Sequence, residues 1–317
     1  MSIQNQSILD VANTTFFAKC EEVFAPGSQP PGVYDKYTEV VPTSSKINEI
    51  DILEASPVVR EWIGSKIFQS IRASSLSATI KKWEKSFEID RLDLQADKLG
   101  MIANRIKNGV SDGAGMYDKI AFDAFIANPT CYDGVALFSA SHPRGYGGST
   151  WSNFSSTAFS FAQHDAVMQA GASLADENSE PLRIAYDTLI VGPKLAKIAK
   201  EVTQSTERIA AVANDGLEAG TRVAASTIPN VYGGGDITLI IDPRYVGTYD
   251  DYYTYVDSSR GPKPMMMFEF RAPEGIALDA NRMDGDTRFH LDKYRWSVEC
   301  DVVCAPCSPH VAFGGRL

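Results

Sequence analysis

The sequence predicts an α+β fold on three observations. Apolar and small residues recur at three- and four-residue steps through 93–128, which predicts a long helix. Residues 83–89 and 296–304 alternate apolar and polar side chains, as strands with one buried face do. Predicted strands and helices also alternate through the C-terminal half, which is typical of an α+β or α/β core.

Composition restricts the classes of protein that fit. The chain has 317 residues and a formal net charge of −10, a length that suggests two domains or one elaborate domain. Hydrophobic residues make up 44% of the chain, which excludes a disordered protein. We expect no membrane helix and no signal peptide. The acidic charge argues against sequence-blind DNA binding, and five cysteines fit a reducing compartment.

The first 56 residues predict an extended arm with short ordered pieces. They show no sustained periodicity, and Pro and Gly interrupt their middle. Such an arm buries little surface and needs something else to lie on. Ser56 and Pro57 then predict the start of a short helix that ends at Gly64.

A long hairpin is predicted next. Its first strand includes 67–71, its second strand is Ala78–Asp90, and the serine-rich residues 74–77 lie between them. One face of the second strand carries Trp83, Lys85, Phe87 and Ile89. A lone two-stranded hairpin is marginal in water, so it must pack on another part of the chain or on another molecule.

The helix at 93–128 would be a rod of about 50 Å that ends before Pro129. Three glycines, Gly109, Gly113 and Gly115, are poor helix formers. They predict a bend or a break, and two consecutive helices are the alternative interpretation.

Further local signals follow the helix. Residues 131–136 predict a hairpin with an Asp-Gly turn, and 161–176 predict a helix. The segments 188–193 and 238–243 resemble each other. Each is a short apolar strand followed by a proline that can open a helix.

Cys300, Cys304 and Cys307 have the spacing C-x3-C-x2-C, with His310 three residues further on. Thiolates at short spacing can hold zinc or an iron–sulfur cluster. The first two cysteines fall within a strand of alternating apolar and polar residues, however, and this pattern predicts that they are small buried apolar side chains. We therefore predict no metal site and keep a metal- or cluster-dependent enzyme as the alternative.

Other candidate sites have a simpler explanation. Cys131, Asp133 and His142 could form a nucleophile with its base, but a turn already explains the aspartate, and we predict no catalytic residue. The glycines at 233–235 lack the Lys-Ser/Thr of a phosphate loop and precede a strand. The lysines at 81, 82 and 85 are offset by nearby acids, which favours salt bridges over DNA binding.

Several motifs between 57 and 143 occur in an order that resembles a known family. They are Arg60–Gly64, Trp83–Arg91, Asp97–Gly100, Cys131–Gly134, Leu137-Phe138 and His142-Pro143. Together they resemble the major head subunit of Mu-like bacteriophages and prophages, a branch of the Hong Kong 97-type capsid fold. The sequence departs from the family's usual pattern at 74–78, which is small and polar where an aromatic residue is common.

The resemblance implies a layout of the chain. Residues 1–56 would be the N-terminal arm, and 57–92 a short helix and the extended hairpin loop, whose loop part begins near residue 65. Residues 93–185 would be the peripheral domain with a spine helix at 93–128. Residues 186–285 would be mainly the axial domain, and 286–317 a C-terminal strand returning to the peripheral domain.

The resemblance also implies a function without catalysis or cofactor. The subunit would form hexamers and pentamers in an icosahedral shell that encloses DNA without reading its sequence, in the virion, after assembly in the bacterial cytoplasm and without a membrane. Partners would be the portal, a scaffold or protease, and a cementing protein of the same phage. The expected assembly contacts are Trp83, Phe87 and Ile89 as apolar anchors and Lys85, Arg60, Glu61 and Arg91 as charged partners. A phage sheath or tube subunit is a further alternative.

Overall fold

The computed structural model describes residues 11–19, 32–53, 73–96, 101–144, 149–176, 180–210, 226–270, 277–280 and 293–315. The chain divides into two compact units. Unit 1 comprises 1–50, 76–127 and 265–305, and unit 2 comprises 51–75, 128–264 and 306–317. None of the described helices has the length and apolar character needed to cross a membrane.

Helices and strands alternate irregularly along the chain. The helices are α1 (11–19), α2 (Arg91–Ala96), α3 (Met101–Ala114), α4 (Met116–Ile126), α5 (Phe161–Ala172) and α6 (Ala196–Thr203). The strands of the first part are β1 (Thr38–Thr43), β2 (Ile47–Leu53), β3 (Ala73–Thr79), β4 (Lys81–Asp90), β5 (His142–Pro143), β6 (Thr150–Trp151) and β7 (Phe154–Ser155). Those of the second part are β8 (Thr188–Val191), β9 (Glu207–Ala210), β10 (Ser226–Pro229), β11 (Thr238–Ile241), β12 (Tyr253–Val256), β13 (Met265–Phe270), β14 (Ala277–Ala280), β15 (Lys293–Pro306) and β16 (Ala312–Gly315).

Unit 1 is built on a five-stranded sheet in which β15 is the common partner. The order is β1-β13-β15-β14, and β4 also pairs with β15. The β4–β15 pair is antiparallel and aligns Trp83 with Cys300 and Phe87 with Trp296. From Tyr294 to Val302, alternate residues of β15 are buried. The prediction of a C-terminal strand with one buried face is confirmed.

An aromatic cluster joins α1 to this sheet. The rings of Phe87 and Trp296 stack with centroids 5.7 Å apart, and Phe16 of α1 lies 6.2 Å from Phe87. Phe16 is fully buried, and the Trp296 indole N–H donates to Asn13 Oδ1 at 3.1 Å. The arm was expected to need a surface to lie on, and for 11–19 that surface is the sheet of its own unit.

The prediction that 74–77 connects the two strands of a hairpin, with the second strand at Ala78–Asp90, is wrong, because β4 begins only at Lys81. These serine-rich residues belong to β3, which pairs with β2 in a separate two-stranded sheet. The strand is visible in the burial pattern, because Ser75 and Ser77 are exposed while Leu76 and Ala78 are more buried. The strand at 67–71 and the short helix after Ser56 lie outside the described residues.

The predicted break in the long helix is confirmed at Gly115. This residue has φ −76° and ψ 1° and lies between α3 and α4. Ile106, Tyr117 and Ile120 of the predicted apolar stripe are buried. The helical run ends at Ile126, before Pro129 as predicted.

Unit 2 is built on a second five-stranded sheet, with the order β11-β8-β12-β16-β7. The two segments that resemble each other pair in parallel, with Thr188 opposite Thr238. The proline after β8 is followed by α6 as predicted. The helix predicted after Pro243 is wrong, because Asp242 instead holds a turn by accepting from the Arg244 backbone N–H at 3.0 Å.

The residue ranges of the two units differ from the ranges predicted for the peripheral and axial domains. Residues 128–185 lie in unit 2, because α5 and its flanking segments share a core with β8, β12 and β16. That core includes Trp151, Phe159, Val167, Leu174, Leu189, Val191, Tyr253, Tyr255 and Phe313. Residues 265–285 lie in unit 1, because β13 pairs with β1 and β15, and residues 306–317 lie in unit 2 because β16 completes its sheet.

We expect Phe16→Ala to lower the free energy of unfolding of unit 1 by about 3 kcal/mol, because it empties a fully buried aromatic position. Phe17→Ala is the matched control, since Phe17 is 42% exposed and its loss should cost less than about 1 kcal/mol. Denaturant unfolding measures both values. Equal losses in the two variants would contradict the packing of α1 described above.

Candidate functional site

The predicted contact residues of β4 share a face with the buried residues of β15. Trp83, Lys85, Phe87 and Ile89 lie opposite Cys300, Val298, Trp296 and Tyr294, respectively. All four of these β15 residues are buried. The face of β4 that the sequence singled out is therefore directed toward the core of unit 1.

Phe87 is used inside its own subunit. Its ring stacks on Trp296 and lies near Phe16. It also packs against α3, where a Cβ added to Gly109 would lie 3.1 Å from the Phe87 ring. This packing explains why a glycine suits the middle of that helix, and it gives Phe87 a role in folding rather than at the surface.

Trp83 combines a fixed ring with an exposed surface. Its indole N–H donates to the Val302 carbonyl at 3.1 Å, and 36% of the residue stays exposed. A large aromatic ring held in one orientation loses little entropy on docking, which is typical of residues that dominate protein interfaces. Of the three predicted apolar anchors, Trp83 therefore fits a contact surface best.

The predicted charged contacts are described only in part. Arg60 and Glu61 lie outside the described residues, Arg91 begins α2, and Lys85 is half-buried. The neighbouring Glu88 forms ion pairs across the strands with Lys293 and Arg295. Hydrogen bonding from Lys293, aided by Arg295, lowers the pKa of the Glu88 carboxyl. Such exposed pairs fix strand register more than they stabilise the fold.

Sequence reasoning missed an exposed apolar residue on the β2–β3 ribbon. Ile47 is 58% exposed, while Asn48 and Ile50 on the same strand are buried. A signal existed, because Ile47 and Ile50 are an odd number of residues apart and cannot share a strand face. Further exposed apolar side chains of unit 1 are Val11, Phe17, Val40, Leu92 and Met101.

The three C-terminal cysteines sit in apolar surroundings. Cys300 and Cys307 are buried, and burial raises the pKa of the Cys300 and Cys304 thiols to about 12. A metal ligand must be a thiolate, which this environment disfavours. Among the described residues, which include all three cysteines, no group of three or more His, Cys, Asp or Glu side chains is arranged to hold a metal ion.

The structure brings together Asp133 and His142, two of the three residues that the sequence analysis considered together. The Asp-Gly turn is confirmed, with Gly134 at φ +79° and the Val135 N–H bound to Asp133 Oδ1. Asp133 Oδ2 lies 2.6 Å from His142 Nδ1, and Asn153 Oδ1 lies 3.2 Å from His142 Nε2. Both ring nitrogens thus have structural partners, and burial raises the pKa of the nearby Cys131 thiol. This arrangement does not form a nucleophile with its base.

Comparison with known proteins confirms the resemblance read from the sequence. Residues 13–160 match the family model described as "Mu-like prophage major head subunit gpT". The chain is 30% identical over 117 residues to the Mu-like prophage FluMu major head subunit of Haemophilus influenzae, and 31% identical over 117 residues to the major capsid protein of Escherichia phage Mu. Each alignment covers 36% of this chain and 38% of the relative, little more than a third of its length.

Structural comparison extends the similarity over the whole chain. The procapsid of bacteriophage JBD30 contains a chain that matches with a TM-score of 0.55 and 16% identity, covering 98% of this chain and 75% of that one. At this identity the match shows the fold alone. The protein has the Hong Kong 97-type capsid fold, as the sequence predicted.

We expect Phe87→Ala to lower the free energy of unfolding by about 3–5 kcal/mol, because the aromatic cluster loses its central ring. Trp83→Ala should cost only about 1–2 kcal/mol, because much of that ring already contacts solvent. Urea unfolding of the unassembled subunit measures both variants. A larger loss for Trp83→Ala would contradict the division between core and surface residues.

Proposed function

We propose that this chain is the major capsid protein of a Mu-like phage or prophage. In this proposal it is a structural subunit that assembles in many copies into a closed icosahedral shell around DNA. The observation that carries the proposal is the combination of the head-subunit match over 13–160 with a capsid fold over nearly the whole chain. The subunit acts through its surfaces rather than through catalysis.

The two units take the two domain roles of the fold in this proposal. Unit 1, with α3 and α4 as the spine and the β15-centred sheet beside them, is the peripheral domain. Unit 2, with its own five-stranded sheet, is the axial domain that surrounds capsomer centres. The C-terminal strand β15 then belongs to the peripheral sheet, while the last strand, β16, belongs to the axial one.

The extended loop that reaches a neighbouring subunit is assigned to the β2–β3 ribbon. The sequence assigned this loop to about 65–92, but β4 lies in the sheet of unit 1 and β2 pairs with β3. A two-stranded ribbon is marginal by itself, and this one carries Ile47 at 58% exposure. Contact with another copy of the chain would cover that side chain and support the ribbon.

The contacts between subunits of the shell would be of two kinds, apolar contacts that supply binding energy and charged contacts that select the orientation. Trp83 and Ile47 supply apolar surface, whereas charged groups such as Glu88 and Arg91 select orientation. Hexamers and pentamers of the subunit are the main partners, with the portal, a scaffold or protease and a cementing protein from the same phage. The net charge of −10 suits a container that holds DNA without adhering to it, in a virion assembled in the bacterial cytoplasm.

The proposal is tested by expressing the chain with its neighbouring head genes and separating particles from free subunits by gradient sedimentation. The wild-type chain should form closed shells in electron micrographs. Helical tubes would favour the sheath alternative, and a dispersed subunit in the presence of scaffold would contradict the proposal. About one bound zinc or iron per chain would revive the metal-enzyme alternative.

Trp83→Ala and Ile47→Ser should each reduce the yield of closed particles at least fivefold while the subunit remains folded. The reason is that a loss of about 1 kcal/mol per contact weakens each contact about fivefold, and the effect compounds over many copies. Ser86→Ala, on the opposite face of β4, is the matched control and should assemble normally. Equal particle yields for all three variants would remove Trp83 and Ile47 from the interface.

A further inference from the structure

The described histidines all lie in unit 2. They are His142, His164 and His310, and His290 lies outside the described residues. Two of them flank one indole. The His142 and Trp151 ring centroids are 4.6 Å apart, those of Trp151 and His310 are 4.5 Å apart, and both pairs are nearly parallel.

This stack joins the end of the chain to an internal hairpin. His142 and Trp151 face each other across β5 and β6, whereas His310 lies in the turn before β16. Asn153 supports the same junction, because its side-chain amide donates to the Pro309 carbonyl at 3.0 Å and its backbone carbonyl accepts from Gly314 at 2.9 Å. We call residues 309–315 the C-terminal latch.

Both ring nitrogens of His142 have hydrogen-bond partners. Its Nδ1 faces the Asp133 carboxylate, and its Nε2 faces Asn153 Oδ1. The orientation of the Asn153 amide is fixed, because its nitrogen donates to the carbonyls of Leu137 and Pro309 and its oxygen accepts from the Ser139 N–H. Both imidazole nitrogens thus face oxygen atoms of fixed position, which gives the His142 ring one defined orientation beside Trp151.

His310, the other imidazole stacked on Trp151, is held neutral. Burial lowers the pKa of His310 to about 4, with a smaller contribution from the neighbouring His142. Arg260 and Arg144 act in the same direction, and Asp133 opposes them.

We propose that the His142–Trp151–His310 stack is an acid-released fastening for the C-terminal latch. While His310 is neutral, its ring packs on Trp151 and keeps the latch on the hairpin. A proton on His310 places a positive charge in a buried site whose nearby Arg260 and Arg144 are also positively charged. Because β16 lies between β12 and β7, release of the latch divides the sheet of unit 2.

The direction of the pH dependence follows from the lowered pKa. Above pH 6.5 the closed and open forms of His310 are both neutral, so the latch has its full stability. Between pH 6.5 and about 4 the open form takes up a proton that the closed form does not, and stability falls. At pH 5 one such group favours opening by roughly 30-fold relative to neutral pH.

Hydrogen exchange of the purified full chain, read by mass spectrometry and corrected for intrinsic rates, tests the proposal. Protection of 308–315 and of 149–155 should fall about 30-fold from pH 7.5 to pH 5. Protection of 296–302 in unit 1 should stay within about threefold, which provides an internal control. A uniform fall in both units would contradict the proposal.

Two variants of His310 test whether protonation of this residue controls the latch. His310→Phe keeps an aromatic ring against Trp151 but cannot be protonated, so the fall in protection of 308–315 should shrink to less than threefold. If the Phe variant does not fold, His310→Gln serves instead: it should lower protection at both pH values while removing the dependence on pH. A full 30-fold fall in a folded variant would overturn the proposal, since another group would then control the latch.

Discussion

The pairing of β4 with β15 is the interaction on which unit 1 depends. It brings together residues about two hundred positions apart, such as Glu88 and Lys293. It also sets Phe87 on Trp296, and this pair in turn provides the surface for Phe16 of α1 and for Gly109 of α3. Because the sheet needs strands from three distant segments, unit 1 cannot close until the end of the chain is available, and such non-local topologies fold slowly.

The pairing of β4 with β15 determines which apolar side chains of unit 1 are buried and which stay exposed. The inner face of β4 is used within unit 1, so the apolar surface that stays exposed includes Trp83 at the end of β4 and Ile47 on the β2–β3 ribbon. In the proposed shell, a neighbouring copy would cover this exposed apolar surface. The proposed latch belongs to unit 2.

Local periodicity predicted much of the fold. Alternation identified β15, the helical stripe with its glycines identified the break at Gly115, and two similar apolar segments identified the strands β8 and β11. It could not predict the partner of each strand, because partners are chosen by tertiary packing. The serines at 74–77 suggested a connection between two strands. The pattern that distinguishes a strand there is the alternation of the exposed Ser75 and Ser77 with the more buried Leu76 and Ala78. The sequence did not show which segments belong to each unit, because each unit is built from three separate segments of the chain.

The sequence predicted which residues of the candidate site share a strand face, but not which of them pack in the core and which stay exposed. Alternation placed Trp83 and Phe87 together, yet it could not say that one ring would be buried and the other partly exposed. A cryo-electron microscopy reconstruction of assembled particles tests the proposed function and its contacts most directly. We expect a closed icosahedral shell in which the β2–β3 ribbon of one subunit covers a neighbour and Trp83 is buried between copies. A helical lattice, or a ribbon folded back on its own subunit with Trp83 facing solvent, would contradict it.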